Sequence, residues 1–519
     1  MSNKIRIYAV ILLVALGFRL FVALRLANDE PDDGRVYAQI ARNVLEQHVY
    51  SHDTQAPFNP SIIRLPGYPL FLAAIYSIFG HGNNTAVRVI QAVMDTTTCA
   101  LIAWVVFEWA VDEERRHRAA LIALGLAAVC PFTAIYVATI LTEVATNFLA
   151  VAMVLAATFA FKATARKKTL MWWIVTGLIA GLAVLFRPDS GLFAAAIGGT
   201  LILSALIRRS LRSAIVSAAL FSIAFCVVLV PWTIRNRRVF HVFQPLAPAH
   251  GEMPDEFVAR GYLLWVRTWL DESKYVGPAL WSLDMRPMYV ENFPARAFDS
   301  KEERERVAAL LDKYNHPDGE EADEDQSPDD QDDEDEPEEE PEEEEPAQTE
   351  EANVEMTPEI DAGFAQIGRE RIAHSRLRYY VVLPLKRAKT LWFDTHSQYY
   401  PFNGDLLPLE DLDYSIHQQY WLPLFAGLTW LYTLLGVIGA VMLWRSRDPN
   451  ARRWLLLAVL LIFLRLGFFA SLENPEPRYT VELFPFLIML AGAGVSRIKA
   501  SAKAMETDAA APTEEYSPD

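Results

Sequence analysis

The chain has 519 residues, of which 52% are hydrophobic, and its formal net charge is −18. The apolar residues are gathered into long runs, which excludes an ordinary soluble protein of several domains and indicates a polytopic membrane protein. The net charge is misleading, because residues 318–351 contain 22 acids and neither Lys nor Arg, so the rest of the chain is mildly basic at +4. The three cysteines, Cys99, Cys130 and Cys226, lie inside apolar runs and indicate no disulfide framework.

Ten runs are long and apolar enough to cross a bilayer, which takes about 20 residues. They cover roughly 5–26, 85–110, 118–137, 139–162, 170–187, 190–208, 212–232, 420–444, 452–470 and 479–497. With ten spans, the short loops rich in Lys and Arg all fall on the same side as Lys4 and Arg6. Both termini are therefore expected in the cytoplasm, and loop 28–69 and region 233–419 on the extracytoplasmic side. The first run lacks a convincing cleavage site and is interpreted as an uncleaved span.

The first external loop, residues 28–69, carries four acids: Asp29, Glu30, Asp32 and Asp33. The apolar positions that follow Gly34 have helical spacing: Tyr37, Ile40, Ala41, Val44 and Leu45. This stripe predicts an amphipathic helix lying in the membrane interface. The short apolar segment from Pro69 to Phe79 predicts a second interfacial helix. Asp33 fits either the N-cap of the first helix or a carboxylate held at the membrane surface for chemistry, and these residues alone leave both open.

Four arginines at external span ends or loops run against the charge bias: Arg64, Arg187, Arg235 and Arg478. They lie at turns with a proline beside or near them, in R-L-P-G-Y-P, F-R-P-D-S, P-W-T-I-R-N and E-P-R-Y. Any one of them could be a guanidinium snorkelling to the interface. Together they favour a fixed anionic ligand, and a lipid-linked phosphate has the right charge and depth.

Two acids at span ends have two interpretations each. Glu143, in I-L-T-E-V, fits either a second polar group facing the same site or a helix N-terminal acid that complements the macrodipole. Glu482 lies just inside the last span and is expected either in the site or paired with Arg478.

Composition also predicts the domain organisation. Loop 28–69 belongs to an N-terminal transmembrane module, 1–237, and 238–317 has the mixed charge and aromatics of a small helical external region. Residues 318–351 are almost all Asp, Glu and Pro and are expected to be disordered. Residues 352–419 predict a basic amphipathic helix and an aromatic stretch at the membrane surface, in contact with membrane lipid. A C-terminal transmembrane module, 420–498, and a disordered tail, 499–519, complete the chain.

Motifs for metals and nucleotides are missing from the sequence. The histidines are scattered through loops without the spacing of a zinc site, although His396 could join an acid in space. There is no G-x-G-x-x-G, no P-loop and no serine nucleophile elbow. No cofactor and no nucleic-acid partner are therefore predicted, and no metal ligands are assigned, while use of a divalent metal is left open.

Taken in order, the motifs resemble those of a known group of enzymes. They are D-x-x-x-Y at Asp33, R-L-P-G-Y-P-L-F-L-A at Arg64, L-T-E at Glu143, F-R-P-D at Arg187, P-W-T-I-R-N at Arg235 and P-R-Y-T-V-E-L-F-P at Arg478. This ordered set resembles the polytopic GT-C glycosyltransferases that use a polyprenyl-phosphate sugar donor. That group includes the protein O-mannosyltransferases and the bacterial lipid A aminoarabinose transferases. The resemblance spans 1–237 and 358–497.

The resemblance implies a fold and a set of roles. The fold is an all-α integral membrane protein of about ten transmembrane helices, with two interfacial helices in the first external loop and a mainly helical external region. Asp33 would be the catalytic carboxylate, with Asp32, Glu30 and Glu143 as accessory acidic residues. Where relatives have Asp-Glu, this chain has Asp33-Gly34. The donor phosphate would be bound by Arg64 and Arg478, with Arg235 and Arg187 as further candidates. Candidate substrate-binding residues are Tyr37, Tyr68 and Tyr479.

These roles predict a reaction. Asp33 would take the proton of an acceptor hydroxyl while the arginines stabilise the departing polyprenyl phosphate, with inversion at the anomeric carbon. A bacterial or archaeal type of plasma membrane is expected. The sugar stays open, as does the acceptor, which could be protein, lipid or polysaccharide. The main alternative is a polytopic transporter or lipid flippase, which would place its charged residues near mid-span. A non-enzymatic scaffold is the third class.

Overall fold

The computed structural model describes residues 3–26, 32–110, 113–317, 354–394 and 416–495. Helices joined by loops make up most of these ranges, and no β-strand occurs in them. The helices of the first half are α1 Asn3–Arg25, α2 Asp32–Glu46, α3 Gly67–Phe79, α4 Asn84–Trp109, α5 Glu113–Ala128, α6 Pro131–Ala134, α7 Glu143–Lys162, α8 Arg166–Phe186, α9 Gly191–Ile207 and α10 Leu211–Val239. Those that follow are α11 Arg260–Val266, α12 Lys301–Asn315, α13 Pro358–His374, α14 Leu383–Phe393, α15 Ile416–Arg445, α16 Pro449–Ser471 and α17 Phe484–Val495.

The predicted all-α polytopic fold is confirmed. Among the described residues nine helices are long and apolar enough to cross a membrane, and the count becomes ten if one bent pair forms a single span. The nine correspond to nine of the predicted runs. The bent pair, Arg115–Ala128 with Pro131–Ala138, corresponds to the predicted span 118–137 and turns by 51° at its break.

The break in this span is stabilised by a buried arginine. Pro131 has no N–H to donate, so it cannot continue the hydrogen-bond ladder of α5. Arg19 of α1 donates through Nη2 to the carbonyl of Ala127 at 3.0 Å and through Nη1 to that of Ala128 at 2.9 Å. Its charge is balanced by Asp95 of α4 at 2.6 Å, and both side chains are buried. A buried ion pair inside the bundle thus caps the C-terminal carbonyls of α5 at the break.

The two short helices predicted in the first loop are present as α2 and α3. Ala41 of α2 packs with Tyr68 and Leu72 of α3 in one apolar cluster, which also takes in Val87 of α4. The ring of Tyr37 meets that of Tyr68 edge-on, with the centroids 5.2 Å apart. The apolar stripe of α2 is therefore covered in large part by protein.

The glycine of the R-L-P-G-Y motif, Gly67, is required by close packing of two helices. A Cβ added at this position would lie 2.6 Å from the backbone oxygen of Leu185 at the end of α8. No side chain can be accommodated at such a separation. The glycine therefore lets the start of α3 press directly against α8, three residues after Arg64.

The described residues divide into two compact units. The membrane unit takes those of 1–256, 391–469 and 477–519, and the second unit takes those of 257–390 and 470–476. In the membrane unit large aromatic pairs fill the core, including Trp109 stacked on Trp454 at 5.4 Å and Phe132 on Phe484 at 4.1 Å. Gly439 of α15 and Gly494 of α17 let those two helices touch through their backbones.

The core of the second unit is aromatic and draws on both sides of the acidic stretch. Trp265 of α11 contacts Phe293 at 5.5 Å and Phe364 of α13 at 5.1 Å between ring centroids. Val307 of α12 and Met356 belong to the same cluster. One core thus combines residues from the regions predicted as 238–317 and 352–419. The predicted disordered insert 318–351 and tail 499–519 lie wholly outside the described residues.

Candidate active site

The residues predicted for catalysis and phosphate binding meet at one carboxylate. Asp33 lies in the first turn of α2, Arg64 in the loop that leads to α3, and Arg478 in the tight helical turn Pro477–Leu483 that precedes α17. Arg64 Nη2 donates to Asp33 Oδ1 at 2.8 Å, and Arg478 Nη1 donates to Asp33 Oδ2 at 3.1 Å. The Asp33 and Arg64 side chains are 28% and 29% exposed, so solvent or a ligand can reach the pair.

The two guanidinium groups set the protonation state of Asp33. Burial by itself raises the pKa of this carboxyl group, but the positive charges of Arg478 and Arg64 and their hydrogen bonds outweigh it. The pKa of Asp33 is therefore lower than its ordinary value, and the group is a carboxylate at neutral pH. Two cations therefore keep Asp33 ionised and lower its affinity for a proton.

Arg64 is held by its surroundings on several sides. Its guanidinium lies 5.9 Å from the centre of the Tyr37 ring, and its carbonyl accepts a hydrogen bond from the Tyr50 hydroxyl at 3.0 Å. Gly251 approaches so closely that an added Cβ would lie 3.3 Å from Arg64 Nη1. Burial and the charge of Asp33 raise the pKa of Tyr37 to about 12, so its hydroxyl group stays protonated at neutral pH.

Arg187 and Glu143 belong to a second, buried cluster of charges. Arg187 Nη1 donates to Glu143 at 2.8 Å and to Glu482 at 3.0 Å, while its Nε donates to Asp189 at 3.1 Å. Arg465 of α16 completes the cluster by pairing with Asp189 and, at 3.0 Å, with Glu482. These three carboxylates and two guanidiniums leave a formal charge of −1.

This buried ion cluster ties together elements that carry the site. It joins the first residue of α7, the link between α8 and α9, the C-terminal half of α16 and the turn that carries Arg478. The ring of Tyr479 connects this cluster to the charges around Asp33, because the guanidiniums of Arg187 and Arg478 each lie 5.4 Å from the centre of the ring. Phe469 stacks on the same ring at 4.3 Å. The cluster therefore fixes the backbone next to Arg478.

Arg235 and Tyr68 are engaged elsewhere in the membrane unit. Arg235 Nη1 donates to the carbonyl of Ser61 at 2.7 Å, and its guanidinium lies over the ring of Trp232 at 4.9 Å. These contacts hold the first loop against α10. The Tyr68 hydroxyl donates to Gln91 of α4 at 2.8 Å and is fully buried.

Several predicted groups fall outside the described residues. Glu30 and His396 are among them, and nothing is described of the side chain of Asp32 beyond its place at the start of α2. Within the described ranges, no group of three or more His, Cys, Asp and Glu side chains is arranged to hold a metal ion.

Two residues of the buried ion cluster, Arg465 and Asp189, were not predicted from the sequence. Both have a signal that is visible in hindsight. Arg465 interrupts the apolar run L-L-L-A-V-L-L-I-F-L-R-L-G-F-F, and a charge inside a span is costly unless it is paired. Glu482 was expected either in the site or with Arg478, and the structure pairs it with Arg187 and Arg465.

Comparison with known proteins agrees with the fold and the motifs. Residues 60–233, about a third of the chain, match the family described as dolichyl-phosphate-mannose-protein mannosyltransferase. The chain is thus a polytopic all-α membrane protein. Its predicted resemblance to glycosyltransferases that use polyprenyl-phosphate donors is confirmed over this stretch, which supports an enzyme of the glycosyltransferase type. No curated protein matches the chain in sequence.

Solved structures show more distant likenesses. ArnT from Cupriavidus metallidurans, bound to undecaprenyl phosphate, is 14% identical with a TM-score of 0.38, over 98% of this chain and 81% of ArnT. The oligosaccharyltransferase AglB from Archaeoglobus fulgidus, in complex with an inhibitory peptide and a dolichol-phosphate, is 12% identical with a TM-score of 0.49, over 99% of this chain. The present chain covers 53% of AglB, about half its length. With identities and scores this low, no functional conclusion rests on these two likenesses.

Proposed function

We propose that this protein transfers a glycosyl group from a polyprenyl-phosphate sugar to an acceptor on the extracytoplasmic side of the membrane. The observation that carries the proposal is the carboxylate of Asp33 held between the guanidiniums of Arg64 and Arg478. Such a site combines a base with two groups suited to a phosphate. The match of residues 60–233 to a family that uses a lipid-phosphate sugar supports the choice of donor.

The chemistry assigns each group a step. The acceptor oxygen forms a bond to the anomeric carbon as the bond from that carbon to the phosphate oxygen breaks. Asp33 takes the acceptor proton, and Arg64 and Arg478 stabilise the charge on the leaving polyprenyl phosphate. Attack from the face opposite the phosphate inverts the anomeric configuration.

Donor binding would also activate the base. In the free protein both Arg64 and Arg478 are hydrogen-bonded to Asp33 and keep its pKa low. A phosphate that draws the guanidiniums onto its own oxygens weakens their hold on the carboxylate, so the proton affinity of Asp33 rises when the acceptor must be deprotonated. The same two guanidiniums thereby keep Asp33 ionised in the free protein and bind the phosphate once the donor is present.

The remaining predicted residues take supporting roles in this proposal. Arg187 shares the ring of Tyr479 with Arg478 and so helps to orient it. Glu143 acts through Arg187, and Arg235 acts by fixing the first loop. In this proposal Tyr37 and Tyr479 contact the sugar or the phosphate, and Tyr68 supports the ring of Tyr37 through their edge-on contact.

The test is turnover by the purified protein in lipid nanodiscs. Undecaprenyl-phosphate sugars are supplied with candidate acceptors, and released undecaprenyl phosphate is measured. Asp33→Asn should lower the rate about a hundredfold to ten-thousandfold, the usual contribution of a general base. The matched control is Glu46→Gln, which removes an exposed carboxylate at the other end of α2, where it pairs with His81.

Two results would contradict the proposal. Normal turnover by Asp33→Asn would remove the assigned base. Movement of the lipid across the bilayer without release of undecaprenyl phosphate would favour the transporter or flippase instead.

A further inference from the structure

A dense run of exposed apolar side chains lies in the second unit, just before the chain enters the membrane unit. Leu377, Tyr380 and Leu385 are 69%, 65% and 66% exposed, and Val381 and Val382 are exposed as well. All five belong to nine consecutive residues, 377–385, that wind through a wide helical turn into α14. Large apolar side chains at this density are seldom left open to water.

The opposite side of the same segment is firmly anchored. Leu383 is buried, and Arg387 Nε donates to the carbonyl of Leu270 at 2.7 Å. Thr390 donates to the carbonyl of Asp271 at 2.6 Å, and Arg378 pairs with Asp299 at 2.6 Å. The apolar side chains are therefore presented outward by a fixed helix.

Positive charge flanks the apolar face. Arg376 precedes it and Lys389 follows it, and both are exposed. Among the described residues, no ion pair engages either of these two side chains, whereas Lys386 is held by Asp271 at 3.2 Å. An apolar strip with a free cation at each end is the composition of a helix that lies at a membrane surface.

We propose that this face docks into the headgroup region of a lipid leaflet that carries anionic headgroups. Leu377, Tyr380 and Leu385 would enter the boundary with the acyl chains, and Arg376 and Lys389 would contact the phosphates. A lipid surface is favoured over a protein partner because the chain passes into the membrane unit at Leu391, six residues after Leu385. The assignment is independent of the catalytic proposal.

Photo-crosslinking of the full-length protein tests the docking. A p-benzoylphenylalanine residue replaces Tyr380, and the protein is illuminated in nanodiscs of phosphatidylcholine and phosphatidylglycerol. Mass spectrometry then measures lipid adducts. The matched control carries the same photoreactive residue in place of Glu305, an exposed position on α12 of the same unit. Lipid adducts should be roughly tenfold more abundant at position 380, because the docked face lies within reach of acyl chains.

The charges are tested by Arg376→Gln combined with Lys389→Gln in the Tyr380 photoreactive protein. The preference for phosphatidylglycerol over phosphatidylcholine in the adducts should fall by up to about thirtyfold, since each cation near an anionic surface contributes about fivefold. Equal adduct yields at positions 380 and 305, or crosslinks at 380 to protein only, would overturn the docking. A lipid adduct with no preference for phosphatidylglycerol would overturn the headgroup assignment.

Discussion

At the residue scale, Gly251 offers a test of Arg64 that leaves the arginine itself intact. Its φ of +73° lies in the left-handed region, and an added Cβ would lie 3.3 Å from Arg64 Nη1. Gly251→Ala should cost roughly 1 kcal/mol of folding free energy through backbone strain. It should also weaken binding of undecaprenyl phosphate severalfold, because the methyl group crowds the guanidinium. Native mass spectrometry of the purified protein measures that affinity.

Gly82→Ala is the matched control for this prediction. Gly82 has a φ of +68°, and an added Cβ would meet no atom within 4 Å. It therefore carries the same backbone strain without the contact to Arg64. Equal lipid affinities of the two variants would show that the position of Arg64 does not govern phosphate binding.

The sequence could predict the three residues at the exposed carboxylate because each lies in a short motif with an unusual charge. Arg64 and Arg478 run against the charge bias of the loops. Asp33 lies at the start of the helix predicted in the first external loop, on the same predicted side of the membrane as the two arginines. Asp189 and Arg465 could not be found in this way. Their role is to form ion pairs with Arg187 and Glu482 on other helices. Patterns in a single sequence do not show which helices are neighbours, so these pairs could not be predicted.

At the scale of elements, the charge count of the buried ion cluster predicts an asymmetry between two substitutions. The cluster holds Arg187 and Arg465 against three carboxylates. Arg465→Gln leaves three buried negative charges facing one positive charge, whereas Glu482→Gln leaves two of each sign. Breaking a buried pair so that a charge is uncompensated typically costs about 3–5 kcal/mol. Arg465→Gln should therefore destabilise the protein far more than Glu482→Gln.

Reversible unfolding in mixed micelles measures the two free energies under identical conditions. Both variants introduce glutamine, so the comparison isolates the sign of the charge removed. A Glu482→Gln variant as unstable as Arg465→Gln would mean that the excess negative charge is compensated by a group outside the cluster.

The elements themselves were largely predictable, and the exceptions have physical causes. Nine predicted spans and both loop helices appear because apolar runs and a 3.6-residue period are local signals. At the bend of 51° near Pro131, the guanidinium of Arg19 donates to the last carbonyls of a helix about a hundred residues later in the chain. Proline marks a point where a helix can break, but the sequence does not reveal that a distant arginine caps the broken end.

At the scale of the whole molecule, charge distribution separates the two faces of the membrane unit. Short segments such as Arg166–Lys168 at the start of α8 and Arg208–Arg209 after α9 carry clustered cations with few acids. By contrast, Arg64 in the loop before α3, Arg187 just after α8 and Arg478 in the turn before α17 are each paired with carboxylates. Unpaired cations set orientation during insertion, whereas paired ones are balanced within the fold.

This difference predicts the topology that the proposed function needs. A cysteine placed at Thr54, exposed in the first loop, should react in intact cells with a membrane-impermeant maleimide. A cysteine at Lys167, exposed in the first turn of α8, should react only after the cells are opened. Both sites are exposed to solvent, so the comparison reports the side of the membrane. Labelling of Lys167→Cys but not Thr54→Cys in intact cells would place Asp33 on the cytoplasmic side and exclude transfer to an extracytoplasmic acceptor.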